Sequence, residues 1–295
     1  MMKIRSVLIS LGVIVSAFTA FAAALGLRPS LFSTAFAEGG VDVTRNYVYG
    51  PNARNKLDVY RPRQPAPDSP VAIFYYGGGW RSGDRATYGF VGSALASRGV
   101  TVVIPDYRLY PEAAFPVFVE DGALAYAWVF KNLRNHCGGR APVIIGHSAG
   151  AHIGALLSLD RRYLKAQGNI AQPSAFIGLA GPYAFDPTTW PSTMDIFAKA
   201  ASADDARPAA FARKAAPPML LMHGLDDETV QLWNLRTLAD ALKTKGSPVE
   251  TAEFEDIGHI GIVLAFSRLL RWRAPVLDKM ADFIRRNASC PDNRN

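Results

Sequence analysis

Cysteine is nearly absent from this chain: 295 residues contain two, Cys137 and Cys290. That excludes a disulfide-stapled scaffold, and no Cys/His spacing reads as a metal site. Cys137 follows a predicted helix and Cys290 lies just before the C-terminus, so a single bridge and two free thiols both remain open. Charge is also sparse, at 19% of residues against 49% hydrophobic, which excludes a largely disordered chain and supplies enough apolar side chains for a sizeable core. The formal charge is +7, yet no basic run is long enough for a nucleic-acid footprint. Arg268, Arg271 and Arg273 form the tightest cluster, and the sequence reads them as a solvated loop or helix face. There is no internal repeat, which excludes a solenoid.

Acidic residues are missing altogether before Glu38, while Lys3, Arg5 and Arg28 lie in that stretch. Lys3 and Arg5 form a positive n-region, and Val7 to Leu27 carries no charge. Ala35-Phe36-Ala37 is a small-x-small site. Residues 1–37 are therefore expected to be a cleaved signal peptide or a retained anchor, with membrane attachment through residues 7–27 in the second case. Either way the body, residues 38–295, is expected to be exported, in the periplasm, outside the cell or facing out from a membrane.

Within the body, short apolar runs alternate with helix-like segments. Strands are expected at Val71–Tyr76, Val100–Pro105, Pro142–His147, Ala175–Gly181, Met219–His223 and Pro248–Glu255. Helices are expected at Ala86–Arg98, Pro116–Leu133, from about Ser148 onward, Val230–Lys245 and Pro275–Arg286. Tyr47–Gly50 and Lys56–Tyr60 read as an antiparallel pair at the sheet edge, and the proline-rich Arg61–Pro70 as a surface loop. Apolar strands alternating with helices of this length predict an α/β fold: a mostly parallel, doubly wound sheet of about eight strands. Residues 183–217, rich in Pro, Ala and Asp, interrupt the alternation and are expected to form a small cap or lid.

The chemistry concentrates in Gly146-His147-Ser148-Ala149-Gly150, a G-x-S-x-G pentapeptide between an apolar run and a helix-forming one. A serine on a sharp strand-to-helix turn holds its hydroxyl clear of the backbone, beneath the free N–H groups of a helix N-terminus. Serine needs a base to act as a nucleophile. Of the five histidines, His136, His147, His152, His223 and His259, only His223 and His259 follow Ser148. His223 ends a strand and is expected to support its turn. His259, in the loop after the last strand, is the candidate base. The acid belongs on the loop after the preceding strand, where spacing alone leaves both Asp226 and Asp227 open, with Glu228 less suited by its length. Gly77-Gly78-Gly79 follows a strand, and the N–H groups of Gly78 and Gly79, with that of Ala149, are candidate oxyanion donors. Tyr76, Gly77, Trp80, His147 and Tyr183, which flank these motifs, are candidate substrate contacts.

Taken together, YGGGW (Tyr76 to Trp80), DYRLYPE with the following FP (Asp106 to Pro116), GHSAG with AHIGA, HGLDDETV and GHIG resemble the esterase/lipase branch of the α/β-hydrolases, near the hormone-sensitive-lipase-like and small bacterial carboxylesterases. The resemblance runs from about Leu57 to Arg286. It implies an acid four residues after the His of the HG pair with Val three further on, which maps to Asp227 and Val230. It also implies that Arg108 and Glu112 are structural. One departure is Tyr76, where the family usually has a loop-holding His. The implied activity is hydrolysis of a small-molecule carboxylic ester with a short or medium acyl chain, without metal or organic cofactor and without nucleic acid. Amidase, arylformamidase or acyltransferase chemistry on the same triad is the alternative, and a non-catalytic binding module the remaining one. The sequence leaves the oligomeric state open.

Overall fold

The computed structural model describes residues 37–66, 69–133 and 140–288. The apolar N-terminal segment and both cysteines fall outside the described residues, and with them the leader, anchor and disulfide expectations.

The sheet is built from β1 (Val41–Val48), β2 (Lys56–Pro62), β3 (Val71–Tyr75), β4 (Thr101–Pro105), β5 (Val143–His147), β6 (Phe176–Leu179), β7 (Met219–Gly224) and β8 (Val249–Phe254). They form one eight-stranded sheet in the order β1-β2-β4-β3-β5-β6-β7-β8. The β1/β2 and β2/β4 pairs are antiparallel and all later pairs parallel, matching the expected mostly parallel sheet. Every residue of β3, β4, β5, β6 and β7 is buried, because helices cover both faces and leave no side exposed to water. The edges are polar instead. On β8, Glu250 pairs with Arg286 at 2.8 Å and Glu253 with Arg236 at 2.8 Å, charges that blunt an open strand edge.

The helices are α1 (Gly89–Ala96), α2 (Val117–Leu133), α3 (Ala149–Leu159), α4 (Arg161–Lys165), α5 (Trp233–Thr244), α6 (Gly261–Leu264) and α7 (Val276–Ala288). In α5 the buried Leu235, Leu238, Ala239 and Leu242 recur at helical spacing and face the sheet, while its other face is charged. Helix α3 differs: all its residues are buried, as suits a helix between the sheet and surrounding elements.

Three boundaries depart from the sequence expectation by three residues or more. Strand β1 begins at Val41 rather than Tyr47, because pairing with β2 draws in a polar, exposed run that carries no strand signal of its own. Helix α5 begins at Trp233 rather than Val230, because the Asp227 carboxylate accepts the N–H groups of Thr229 and Val230 and holds them in a turn. Helix α1 begins at Gly89, after a turn in which Asp84 accepts from the N–H and hydroxyl of Thr87. Residues 183–217, between β6 and β7, form turns and two short 3-10 helices, Asp204–Ala206 and Pro208–Phe211. Phe197 of this stretch packs on Trp80, Phe115 and Phe118, and Asp195 pairs with Arg81 at 2.7 Å.

Candidate active site

Parallel strands bring their C-terminal ends to one edge, and the loops that leave there converge. Tyr75 lies opposite Gly146, and His147 opposite Leu179, so the glycine run after β3 and the turn after β5 are neighbours. The β5–α3 turn is a single residue, Ser148, at φ 53° and ψ −122°. A side chain is strained there, and close packing explains how the turn is held. A Cβ at Gly150 would stand 2.0 Å from the Tyr75 carbonyl oxygen, and one at Gly146 would stand 2.4 Å from the Gly150 carbonyl oxygen. Only hydrogen at both positions lets helix and strand approach so closely. The Ser148 N–H donates to the Leu179 carbonyl at 2.9 Å, fixing the turn to the next strand.

The loops after β7 and β8 are joined by backbone bonds, Leu225 N–H to the Phe254 carbonyl at 2.8 Å and Asp226 N–H to the Ile257 carbonyl at 3.0 Å. This seam carries Asp227 and His259 together over Ser148. His259 Nε2 lies 2.8 Å from Ser148 Oγ, and His259 Nδ1 lies 2.8 Å from Asp227 Oδ2. All three residues are buried. The other Asp227 oxygen accepts from the N–H groups of Thr229 and Val230, each at 2.9 Å. Burial pulls the Asp227 carboxyl upward, but the hydrogen bond and charge of His259, with the Val230 N–H, outweigh it and hold it below the usual carboxylate value. Asp226 and Glu228 are exposed.

Three further histidines brace the site, each buried and each pairing Nε2 with a carbonyl oxygen: His147 with His259 at 3.0 Å, His152 with Ala206 at 2.7 Å, and His223 with Val230 at 2.8 Å. A carbonyl only accepts, so Nε2 carries the hydrogen in all three. Burial pushes His147 down to about 3 and His152 down to about 4, and also lowers His223, so they remain neutral donors at ordinary pH. His223 supports its turn, in line with the sequence reading. The sequence carries no signal for the support from His147 and His152, because both histidines sit beside the serine in sequence while their partners lie far along the chain.

The glycine run lies against Ser148. A Cβ on Gly77 would be 2.9 Å from Ser148 Cβ. The backbone N–H groups of Gly78, Gly79 and Ala149 meet no acceptor among the described residues. Four of the candidate substrate contacts have buried side chains with partners inside the protein. Tyr76 is buried, donates its hydroxyl to Asp106 at 2.9 Å and stacks between Tyr88 and Tyr107. Trp80 is packed edge-on against His152 and Phe197. His147 is the brace just described. Tyr183 packs edge-on against Phe176, its hydroxyl over Gly178. Each is an aromatic ring beside a glycine-rich turn, and burying its large apolar surface outweighs presenting it to solvent. Arg108 makes a two-point ion pair with Asp121, and Glu112 accepts from Asn52, both structural contacts.

A separate concavity of about 330 Å³ between α2, α4 and residues 199–205 is lined by Phe115, Glu120, Arg162, Tyr163, Lys199 and Asp205, and contains none of the three converging residues. Among the described residues no group of His, Cys, Asp or Glu could hold a metal ion, and no helix is long and apolar enough to cross a membrane.

The chain matches the BD-FAE family model over residues 57–177 and that of the prolyl oligopeptidase family over residues 140–288. It is similar to the probable isoprenylcysteine alpha-carbonyl methylesterase of Oryza sativa subsp. japonica, 29% identical over 75% of this chain and 59% of that protein. It is also similar to esterase LipC of Mycobacterium tuberculosis, 30% identical over 73% of this chain and 59% of that protein. The chain thus spans about three fifths of the length of these relatives. Among solved structures, a thermophilic esterase of Thermogutta terrifontis superposes with a TM-score of 0.71 at 23% identity, covering 86% of this chain and 97% of that one. At that identity the superposition speaks for the fold.

Proposed function

The chain belongs to the α/β-hydrolase superfamily, in its esterase and lipase branch, and from that premise we propose that it is a serine esterase with Ser148 as nucleophile, His259 as base and Asp227 as orienting acid. The observation that carries the reading is the relay of two 2.8 Å contacts from Ser148 through His259 to Asp227.

Ser148 donates its proton to His259 Nε2 as Oγ attacks the acyl carbonyl. The Nδ1–H of His259 donates to Asp227 Oδ2, which fixes the tautomer and steadies the imidazolium. An ionised Asp227 suits this role, and its lowered pKa keeps it ionised. The free N–H groups of Gly78, Gly79 and Ala149 receive the oxyanion. His259 then gives its proton to the leaving alcohol, and water, deprotonated by the same imidazole, releases the acyl group. Residues 183–217 cap the site in this reading, supported by the seating of Phe197 against Trp80. The substrate is a small carboxylic ester with a short or medium acyl chain, and the N-terminal positive and apolar segments direct the body out of the cytoplasm.

Amide cleavage is the second reading, favoured by the match of residues 140–288 to the prolyl oligopeptidase family. A fluorophosphonate probe should label the wild type and leave Ser148→Ala unlabelled. Matched p-nitrophenyl ester and p-nitroanilide substrates then separate the two readings, with faster ester turnover expected. Labelling of Ser148→Ala equal to wild type would remove Ser148 from the mechanism.

A further inference from the structure

We infer that the surface made by Arg268, Leu269, Trp272 and Arg273 docks onto an anionic phospholipid bilayer. Trp272 is 79% exposed and Leu269 65%, the two largest values among the exposed large apolar residues described. They stand within one short stretch that folds as a loop and a one-turn 3-10 helix, Arg271–Arg273. Arg268 and Arg273 are exposed beside them, and neither pairs with a carboxylate among the described residues. The sequence from Ile257 to Leu277 contains no acidic residue, so nothing in the stretch opposes an anionic surface. An exposed indole flanked by guanidinium groups that have no carboxylate partner among the described residues suits a lipid interface: the ring enters the headgroup level and the cations meet phosphate.

An acidic protein would satisfy the arginines as well. The path of the chain favours lipid. Arg271, between the two exposed apolar residues, turns inward to form an ion pair with Glu38 and donates to the Phe266 carbonyl at 3.0 Å. Glu38 is further held by its N–H on Ser93 Oγ at 3.0 Å. The polypeptide therefore enters the folded body at this patch. The uncharged run Val7–Leu27 ends only a short way upstream of Glu38 in the sequence, within a reach of roughly 40 Å even if fully extended. The described body thus begins at a basic aromatic patch, a short sequence distance after a run of bilayer-spanning length. The patch also reaches the site, because Arg273 donates to the Asp256 carbonyl at 2.7 Å, in the loop that carries His259. Docking there would place the loop that carries His259 beside the lipid.

The test uses the full chain with vesicles of phosphatidylcholine, alone or mixed with phosphatidylglycerol, each made with and without brominated acyl chains. A retained apolar run would hold the protein on either vesicle, so the readout is the quenching of Trp272 and not sedimentation. We expect brominated lipid to quench part of the tryptophan emission in the phosphatidylglycerol vesicles. Trp272→Phe should abolish that part, Trp190→Phe should leave it, and Arg268→Glu should cut it severalfold. Trp272→Phe and Arg268→Glu should leave thermal melting and hydrolysis of a water-soluble ester unchanged, since neither residue touches the triad. Absence of quenching, quenching that survives Trp272→Phe, or quenching indifferent to Arg268→Glu and to phosphatidylglycerol would overturn the inference. Binding to polyglutamate without binding to the anionic vesicles would overturn it in favour of an acidic protein partner.

Discussion

Asp226 and Asp227 are adjacent in sequence, and one faces solvent while the other accepts three hydrogen bonds at buried oxygens. The difference makes a sharp prediction. Asp227→Asn should lower kcat on an ester by about 10⁴-fold, because an amide can hold the wrong tautomer of His259, while Asp226→Asn should change it less than about twofold. Steady-state kinetics on one chromogenic ester checks both. His147 is the second residue to test. It donates to the carbonyl of His259, so His147→Phe would leave a buried acceptor unpaired. We expect a stability loss of about 1–3 kcal/mol in urea unfolding, with kcat falling more than KM changes as the loop loosens. Tyr76 shows the same principle in the opposite sense. It stands where the family resemblance implies a loop-holding histidine, and its own contacts are different: its hydroxyl reaches Asp106 and accepts from Arg54, and its ring stacks on Tyr88 and Tyr107.

At the scale of elements, the turn between β5 and α3 depends on two hydrogens. Gly150→Ala would drive a methyl group into the backbone of β3, which cannot yield as a side chain can. The expected cost is about 3 kcal/mol or more, seen as a lowered urea midpoint or as failure to fold, and the same variant should lose probe labelling. The seam between the loops after β7 and β8 has an equal role, since its backbone bonds bring the segments of Asp227 and His259 side by side. Residues 183–217 are attached through a few defined points. Phe197 is buried among Trp80, Phe115 and Phe118, and the Ala206 carbonyl is held by His152. Phe197→Ala should cost about 3–5 kcal/mol if the surroundings do not collapse, and it should raise protease sensitivity between residues 183 and 217 before the rest of the body is cut.

For the whole molecule, the braced histidines set the response to acid. His147 and His152 titrate near 6.5 in an unfolded chain, and burial holds them down to about 3 and about 4 in the folded one. Between those limits the unfolded state binds more protons, so stability falls as pH falls below about 6.5. Each group contributes a slope of about 1.4 kcal/mol per pH unit until it reaches its folded value. Asp227 acts later, because its folded value lies below the usual carboxylate range and its contribution is lost only as pH drops through that value. Urea midpoints measured from pH 7 to about pH 4.5 should therefore decline steadily, and His152→Gln, which keeps a donor for Ala206 and removes the titration, should flatten the decline. A flat profile in the wild type would count against the neutral, buried state of these rings.

The amino-acid sequence by itself determined the alternation of strands and helices, the parallel sheet, the position of the serine turn and the order of the three converging residues. These follow from local pattern: apolar runs too short for helices, glycines two residues on either side of a serine, and the sequential order of loops at one sheet edge. It could not choose between Asp226 and Asp227 by spacing, and it did not give the direction in which the side chains of Tyr76, Trp80 and Tyr183 point. Tertiary structure decided those matters, because the direction of a side chain is fixed by partners remote in sequence. Tyr76 turns inward because Asp106 and Tyr107 wait there, and Asp227 turns toward His259 because two loops from different strands are joined along their backbones. The contact of Tyr76 has no signature in the residues immediately around it, and that of Asp227 is signalled by its motif and not by its spacing.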